Sequence, residues 1–365
     1  MARKWLQSFR NEFLLFVALF GIGFVWRVYG LLDNHPFWVD EFSSAYQARL
    51  ILQYGLKYLS NPSLNVEYNN ILNHLLIALS FKFFGQYEWA ARLPYVVIGS
   101  LIPVCVYILA KQFFNKSVAL SAGLFTAFSY LQITWSRQAR GYVLTQLWVI
   151  LTLTLYIHIL TTKRRNLLSY IAFFISVIVG LLTHFSFVVL LIAISVHSIS
   201  LNLHLLKKIP RKPYFFAVII STTLIGLKMI LGERLNNVSL VNNVWYYHSF
   251  LWREHGLMTF LALLGLIGTF IKKARVVSIF ALYISIHIGI FTFLFAPYSS
   301  RYLLPIFPLL FIFAALALEK FMNATITVNK FGFKQSKMAI IGTLLLTLFI
   351  ISGGDKFVTR PRPFY

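Results

Sequence analysis

The chain has 365 residues, 59% hydrophobic and only 12% charged, with 33 Lys and Arg against 10 Asp and Glu for a formal charge of +23. A soluble globular chain carries roughly 45–50% apolar and about 25% charged residues, so this one is too apolar to be soluble. With 36 Phe, 19 Tyr and 8 Trp it is also too aromatic to be disordered. The apolar runs are continuous rather than alternating, which excludes a transmembrane β-barrel and leaves an all-α polytopic membrane protein. The basic residues recur as short clusters between apolar runs, the pattern of cytoplasmic loops, so no nucleic-acid partner is expected. The lone Cys105 permits no intrachain disulfide and no thiolate metal site.

In chain order, Arg3, Lys4 and Arg10 precede an apolar run over 13–32. That run is too long for a signal-peptide core and has no small-x-small cleavage site, so it reads as a retained first span. A longer polar stretch, 33–92, follows. Ten more apolar runs come after it, near 93–110, 117–135, 142–162, 167–183, 185–206, 214–231, 256–271, 276–296, 302–318 and 338–352, giving about 11 transmembrane helices. The segment 71–84 is apolar but has 14 residues where a span needs about 20. If the eleven long runs cross and 71–84 does not, every basic cluster falls on the cytoplasmic side. Segment 71–84 is therefore expected to lie on the outer face as a juxtamembrane helix. The resulting single integral membrane domain, 1–365, sits in the plasma membrane. Its long first outer loop is 33–92 and its second outer loop 232–255; short outer turns fall at 136–141, 183–184 and 297–301, and a polar tail at 353–365.

Five of the ten acids, Asp33, Asp40, Glu41, Glu67 and Glu88, fall in the first outer loop. The stretch HPFWVDEFSSAYQARLIL holds the adjacent pair Asp40-Glu41 at the expected start of an amphipathic helix. One reading is an N-cap at Asp40 with Glu41 in the first turn; the other is a general base or metal ligand at the membrane surface. In TWSRQARGYVL, Arg137 and Arg140 stand three apart before Tyr142, and on a helix start both guanidiniums would face one anion. The plainer alternative is two arginines snorkelling to lipid headgroups. Arg301 is the lone charge in APYSSRYLLPIFPLL, flanked by Tyr298 and Tyr302, with Pro305 and Pro308 kinking the next helix. It is either an interfacial anchor or a phosphate or sugar contact. His184, in a tight turn with Thr183, and His74, on the short segment, are weaker contact candidates. Lys228 inside a span could face a cavity or snorkel outward. No P-loop, G-x-G-x-x-G or H-E-x-x-H motif occurs.

Several of these pieces together resemble the GT-C polyprenyl-phosphate-sugar-dependent glycosyltransferases, in particular the protein-O-mannosyltransferase-like branch that includes lipid A aminoarabinose transferases. They are W-x-D-E (Trp38, Asp40, Glu41), then FG followed by R-L-P (Phe84, Gly85, Arg92, Leu93, Pro94), S-R-x-x-R-x-Y-x-L (Ser136 to Leu144), T-H-F, and S-R-Y-L-L-P (Ser300 to Pro305). The resemblance implies transfer of a sugar from a polyprenyl-phosphate donor to an acceptor hydroxyl of a lipid, glycan or protein at the outer face; direct displacement at the anomeric carbon would invert it. It implies Asp40, supported by Glu41, as the catalytic carboxylate. The readings of the residues above make Arg137, Arg140, Tyr142, His184, Arg301, Tyr302 and His74 the expected donor phosphate or sugar contacts. The resemblance fixes no cofactor. A divalent cation stays open, although the second Asp that some relatives carry after the third span is replaced here by Arg140-Gly141-Tyr142. The alternative class is a lipid-linked sugar flippase, which would place its polar residues near the midplane and show inverted repeats.

Overall fold

A computed structural model describes residues 2–32, 36–55, 57–60, 70–162, 166–203, 245–270, 274–294 and 298–328. The expected spans 214–231 and 338–352, most of loop 232–255, Asp33, Glu67, Lys228 and the tail 353–365 lie outside them. Among the described residues there is no strand. The helices are α1 (Ala2–Val28), α2 (Val39–Tyr54), α3 (Lys57–Ser60), α4 (Ile71–Phe84), α5 (Glu88–Lys111), α6 (Lys116–Phe128), α7 (Tyr130–Ser136), α8 (Tyr142–Thr161), α9 (Leu167–Leu181), α10 (Val188–Leu203), α11 (Tyr246–Phe270), α12 (Ala274–Phe293) and α13 (Phe307–Val328). Short 3-10 turns at Phe185–Phe187 and Ser300–Ile306 precede α10 and α13.

Nine of the eleven expected spans coincide with described helices. Among the described residues five helices are long and apolar enough to cross a membrane, and α6 with α7 form a sixth, bent candidate. The chain is an integral membrane protein. Three expectations are corrected in detail. The run 117–135 is not one straight helix: it breaks at Ser129 and turns by 55°. Residues 246–255 are not loop but the first turns of α11, which continues past a non-helical His255 (φ −137°). Asp40 is not an N-cap: Trp38 occupies that position, and both acids sit in the first turn of α2.

A helix break inside a bilayer leaves carbonyls without partners, and these must be satisfied internally. Arg27 does this at Ser129. Fully buried near the end of α1, it donates through Nη1 to Ala127 O (3.2 Å) and through Nη2 to Thr126 O (3.3 Å), the last carbonyls of α6. Its Nε–H reaches Ser136 Oγ at 3.1 Å. A cation at a helix C-terminus is also favoured by the dipole. Gly99 of α5 makes room, since a Cβ there would stand 2.2 Å from Ser136 Oγ.

Helix α13 is the axis of the bundle: its span is 83% buried, against 17% for α1. It packs between α11 and α6. Gly265 of α11 lies against the backbone of α13, where a Cβ would come within 1.9 Å of Phe313 O, the small-residue contact that lets membrane helices approach. A second, smaller core joins α2, α4 and the start of α5 through Ala45, Ala48, Ile77, Ala78, Phe81, Ala90, Ala91 and Tyr95. Left-handed Gly55 (φ +58°) and Gly85 (φ +84°) stop α2 and α4, each returning its N–H to the last turn. This small core fixes the first turn of α2 at one end of the bundle.

Candidate active site

Three distant pieces of chain meet at the first turn of α2. Asp40 Oδ2 accepts a 2.7 Å hydrogen bond from Arg301 Nη1, and lies 3.7 Å from Arg140 Nη2. Arg140 Nη1 donates to Asp40 O (3.0 Å) and to Ser44 Oγ (2.9 Å). The Asp40 side chain is one-third exposed, whereas those of Arg140 and Arg301 are largely covered. One carboxylate against two guanidiniums leaves a positive charge over. Among the described residues the buried Nε–H of each arginine meets no acceptor, so both retain donor capacity suited to an anion.

Aromatic rings wall this cluster. The Arg301 guanidinium lies 5.4 Å from the ring centroids of Trp38, Tyr142 and Tyr302, a cation–π setting that keeps a charged group in a low-dielectric wall. His184 packs on Tyr142 at 5.0 Å. Its Nδ1 accepts the Ser186 backbone N–H at 3.2 Å, capping the 3-10 turn Phe185–Phe187, so the ring proton sits on Nε2.

Glu41 lies directly beneath and is wholly buried. Its Oε1 accepts from Arg92 Nε (2.8 Å) and from the Ala139 backbone N–H (2.8 Å), and its Oε2 from Arg92 Nη2 (2.7 Å). This bidentate pair ties α2 to α5 and to the turn bearing Arg140. Asn73 of α4 adds a bond to Ser44 Oγ (3.3 Å) and accepts from Tyr95 Oη.

Asp40, Arg140, Tyr142, His184, Arg301 and Tyr302 thus converge. Arg137 does not share a face with Arg140, because residues 137–141 form a turn rather than a helix start. Its Nη2 donates to Trp26 O (2.7 Å) and its Nε to Arg27 O (3.2 Å), at the end of α1. His74 is buried on α4. Burial, and then the Arg140 charge, pull its imidazole down to about 4, so it is neutral at neutral pH. Sequence reasoning quoted Arg92 only within a motif and missed it as the Glu41 partner. Its signal was a basic residue in a segment where the positive-inside rule expects few. Among the described residues no group of three His, Cys, Asp or Glu side chains could hold a metal ion. With Glu41 spent on Arg92 and Asp40 facing two guanidiniums, this donor set does not fit a resident divalent cation.

Residues 70–227, less than half the chain, match the sequence profile of the dolichyl-phosphate-mannose-protein mannosyltransferase family. No curated protein matches. Among solved structures, ArnT from Cupriavidus metallidurans in the apo state aligns with a TM-score of 0.62 at 15% identity, covering 86% of this chain and 60% of that one. ArnT bound to undecaprenyl phosphate aligns at 0.54 and 17% identity, covering 87% and 63%. The Archaeoglobus fulgidus oligosaccharyltransferase tethered to an acceptor peptide aligns at 0.61 and 13% identity, covering 93% and 54%. The chain spans about 60% of the length of the ArnT it matches.

Proposed function

We propose that this chain, whose fold is that of the GT-C membrane glycosyltransferases, is itself one: it moves a sugar from a polyprenyl-phosphate donor to an acceptor hydroxyl at the membrane face away from the cytoplasm. The observation carrying the reading is the 2.7 Å contact of Asp40 with Arg301, with Arg140 alongside. Chemistry of this kind needs a base for the hydroxyl and cations for the departing phosphate, and the site has both.

The donor phosphodiester, near −1, takes the arginine donors now turned to Asp40, and the carboxylate is freed for the acceptor. The acceptor oxygen attacks the anomeric carbon as the sugar–phosphate C–O bond breaks. The hydroxyl proton goes to Asp40, a step worth about 10²–10⁴-fold. Direct displacement inverts the anomeric centre. The leaving group approaches −2, so Arg301 and Arg140 bind the transition state better than the ground state. At about 4 Å and an effective dielectric of about 20, a full extra charge would gain roughly 4 kcal/mol from one guanidinium. Tyr142, Tyr302 and Trp38 keep that charge in a poorly solvated wall, and His184 holds Tyr142. Glu41 positions Asp40 and the Arg140 turn from below.

The test incubates purified protein with a panel of polyprenyl-phosphate sugars and an acceptor extract, and measures free polyprenyl phosphate. Release by wild type and none by Asp40→Asn is expected; near-normal release by Asp40→Asn overturns the reading.

A further inference from the structure

Arg301 sits in a short 3-10 turn, Ser300–Ile306, interrupted by Pro305 and followed by Pro308. A 3-10 turn lends each carbonyl the N–H three residues on, and an α-helix the N–H four residues on. Pro305 has no N–H for the Tyr302 carbonyl, and Pro308 has none for Leu304, which is left with the Phe307 N–H alone. These two carbonyls receive side chains from neighbouring helices. His287 Nε2 of α12 donates to Tyr302 O at 2.5 Å, and Gln146 Nε2 of α8 donates to Leu304 O at 2.6 Å.

Both side chains are wholly buried. The far atom of each, His287 Nδ1 and Gln146 Oε1, is buried with no hydrogen-bond partner among the described residues. Leaving a polar atom so placed is destabilising. The fold therefore keeps a Tyr302 carbonyl that Pro305 cannot serve, a Leu304 carbonyl that takes a side-chain donor beside the Phe307 N–H, and two half-satisfied polar side chains. The His287 ring also packs on Phe291 (4.7 Å), which stacks on Tyr302 (4.8 Å), one of the three faces around Arg301.

We propose that His287 and Gln146 are positioning residues: by holding the Tyr302 and Leu304 carbonyls they aim the Arg301 guanidinium at the donor phosphate without touching the substrate. The inference rests on the transferase reading above.

The test uses the full chain in detergent, measuring polyprenyl phosphate binding by Trp fluorescence together with donor and acceptor KM. His287→Leu should weaken polyprenyl phosphate binding and raise donor KM about five- to tenfold, the size of one lost hydrogen bond. Acceptor KM should stay unchanged. His287→Gln, which keeps an N–H donor, should restore most of the affinity. In an Arg301→Ala background, His287→Leu should add nothing to donor KM, because its effect passes through Arg301. A merely structural role would instead lower kcat through a smaller folded fraction at unchanged KM. Gln146→Leu is the second variant should His287→Leu fail to fold, with the same pattern expected. Donor KM unchanged in a folded variant, or a full effect surviving in Arg301→Ala, overturns the inference alone. A wild type that neither binds polyprenyl phosphate nor releases it overturns the transferase reading and this inference with it.

Discussion

Replacing Arg92 by Met would leave the Glu41 carboxylate buried with one remaining donor, the Ala139 N–H. The side chains of the pair are 0% and 1% exposed, so water cannot screen the loss. Breaking such a pair by removing one partner costs about 3–5 kcal/mol, a large share of a typical 5–15 kcal/mol of stability. Removing both charges is different: Glu41→Met with Arg92→Met leaves no stranded ion, and a hydrophobic replacement of similar volume is often close to neutral. Thermal unfolding in detergent should show Arg92→Met melting on the order of 10 °C below wild type, and the double variant recovering most of that. Transfer should remain impaired in the double variant, because the Ala139–Arg140 turn has lost its anchor. A fall of under about 1 kcal/mol for Arg92→Met would show that the pair is not desolvated. A double variant no better than the worse single would show that shape, not charge, sets the cost.

Asp40→Asn should reduce transfer by at least about 10²-fold with an unchanged melting profile, read by release of polyprenyl phosphate. Arg301→Ala should raise donor KM and lower kcat by about 10²-fold, and Arg301→Lys should recover only part, since a point charge lacks the fork of the guanidinium. His74 stands at about 4 in the fold against 6.5 free; below 6.5 the unfolded chain binds the proton more readily, so stability present above pH 6.5 should drain away as pH falls towards 4. A pH series of melts should show that loss shrinking in His74→Gln. Gly265→Ala must push α11 from α13, because its Cβ would meet the Phe313 carbonyl at 1.9 Å; a lowered melting temperature is the expected readout.

Much of this architecture was legible because lipid allows so few solutions. Long apolar runs had to be helices, and nine of the eleven coincide with described ones. Asp40 and Arg301 stood out as charges that a greasy chain has no other reason to keep there. What the residues did not reveal depends on contacts remote in sequence. The break at Ser129 has no proline or glycine at the break itself; it is visible only once Arg27 is seen to cap it. Arg137 and Arg140 looked like a helical pair by spacing, yet the Glu41 bond to the Ala139 N–H holds that stretch as a turn and sends them apart. Glu41 itself, adjacent to Asp40, faces the protein interior because successive helical positions point about 100° apart.

Asp40 and Arg301 are 261 residues apart, and their contact is what gathers the site. A ribosome-bound chain that has inserted its first helices carries the carboxylate but not the opposing guanidinium. On the transferase reading proposed above, the carboxylate meets its guanidinium only after Ser300–Ile306 has been made and has docked. The entropic toll of so wide a closure is modest, since each doubling of loop length adds only about 0.6 kcal/mol. A chain stopped short of that turn would hold the acid of the proposed site without the cation that faces it.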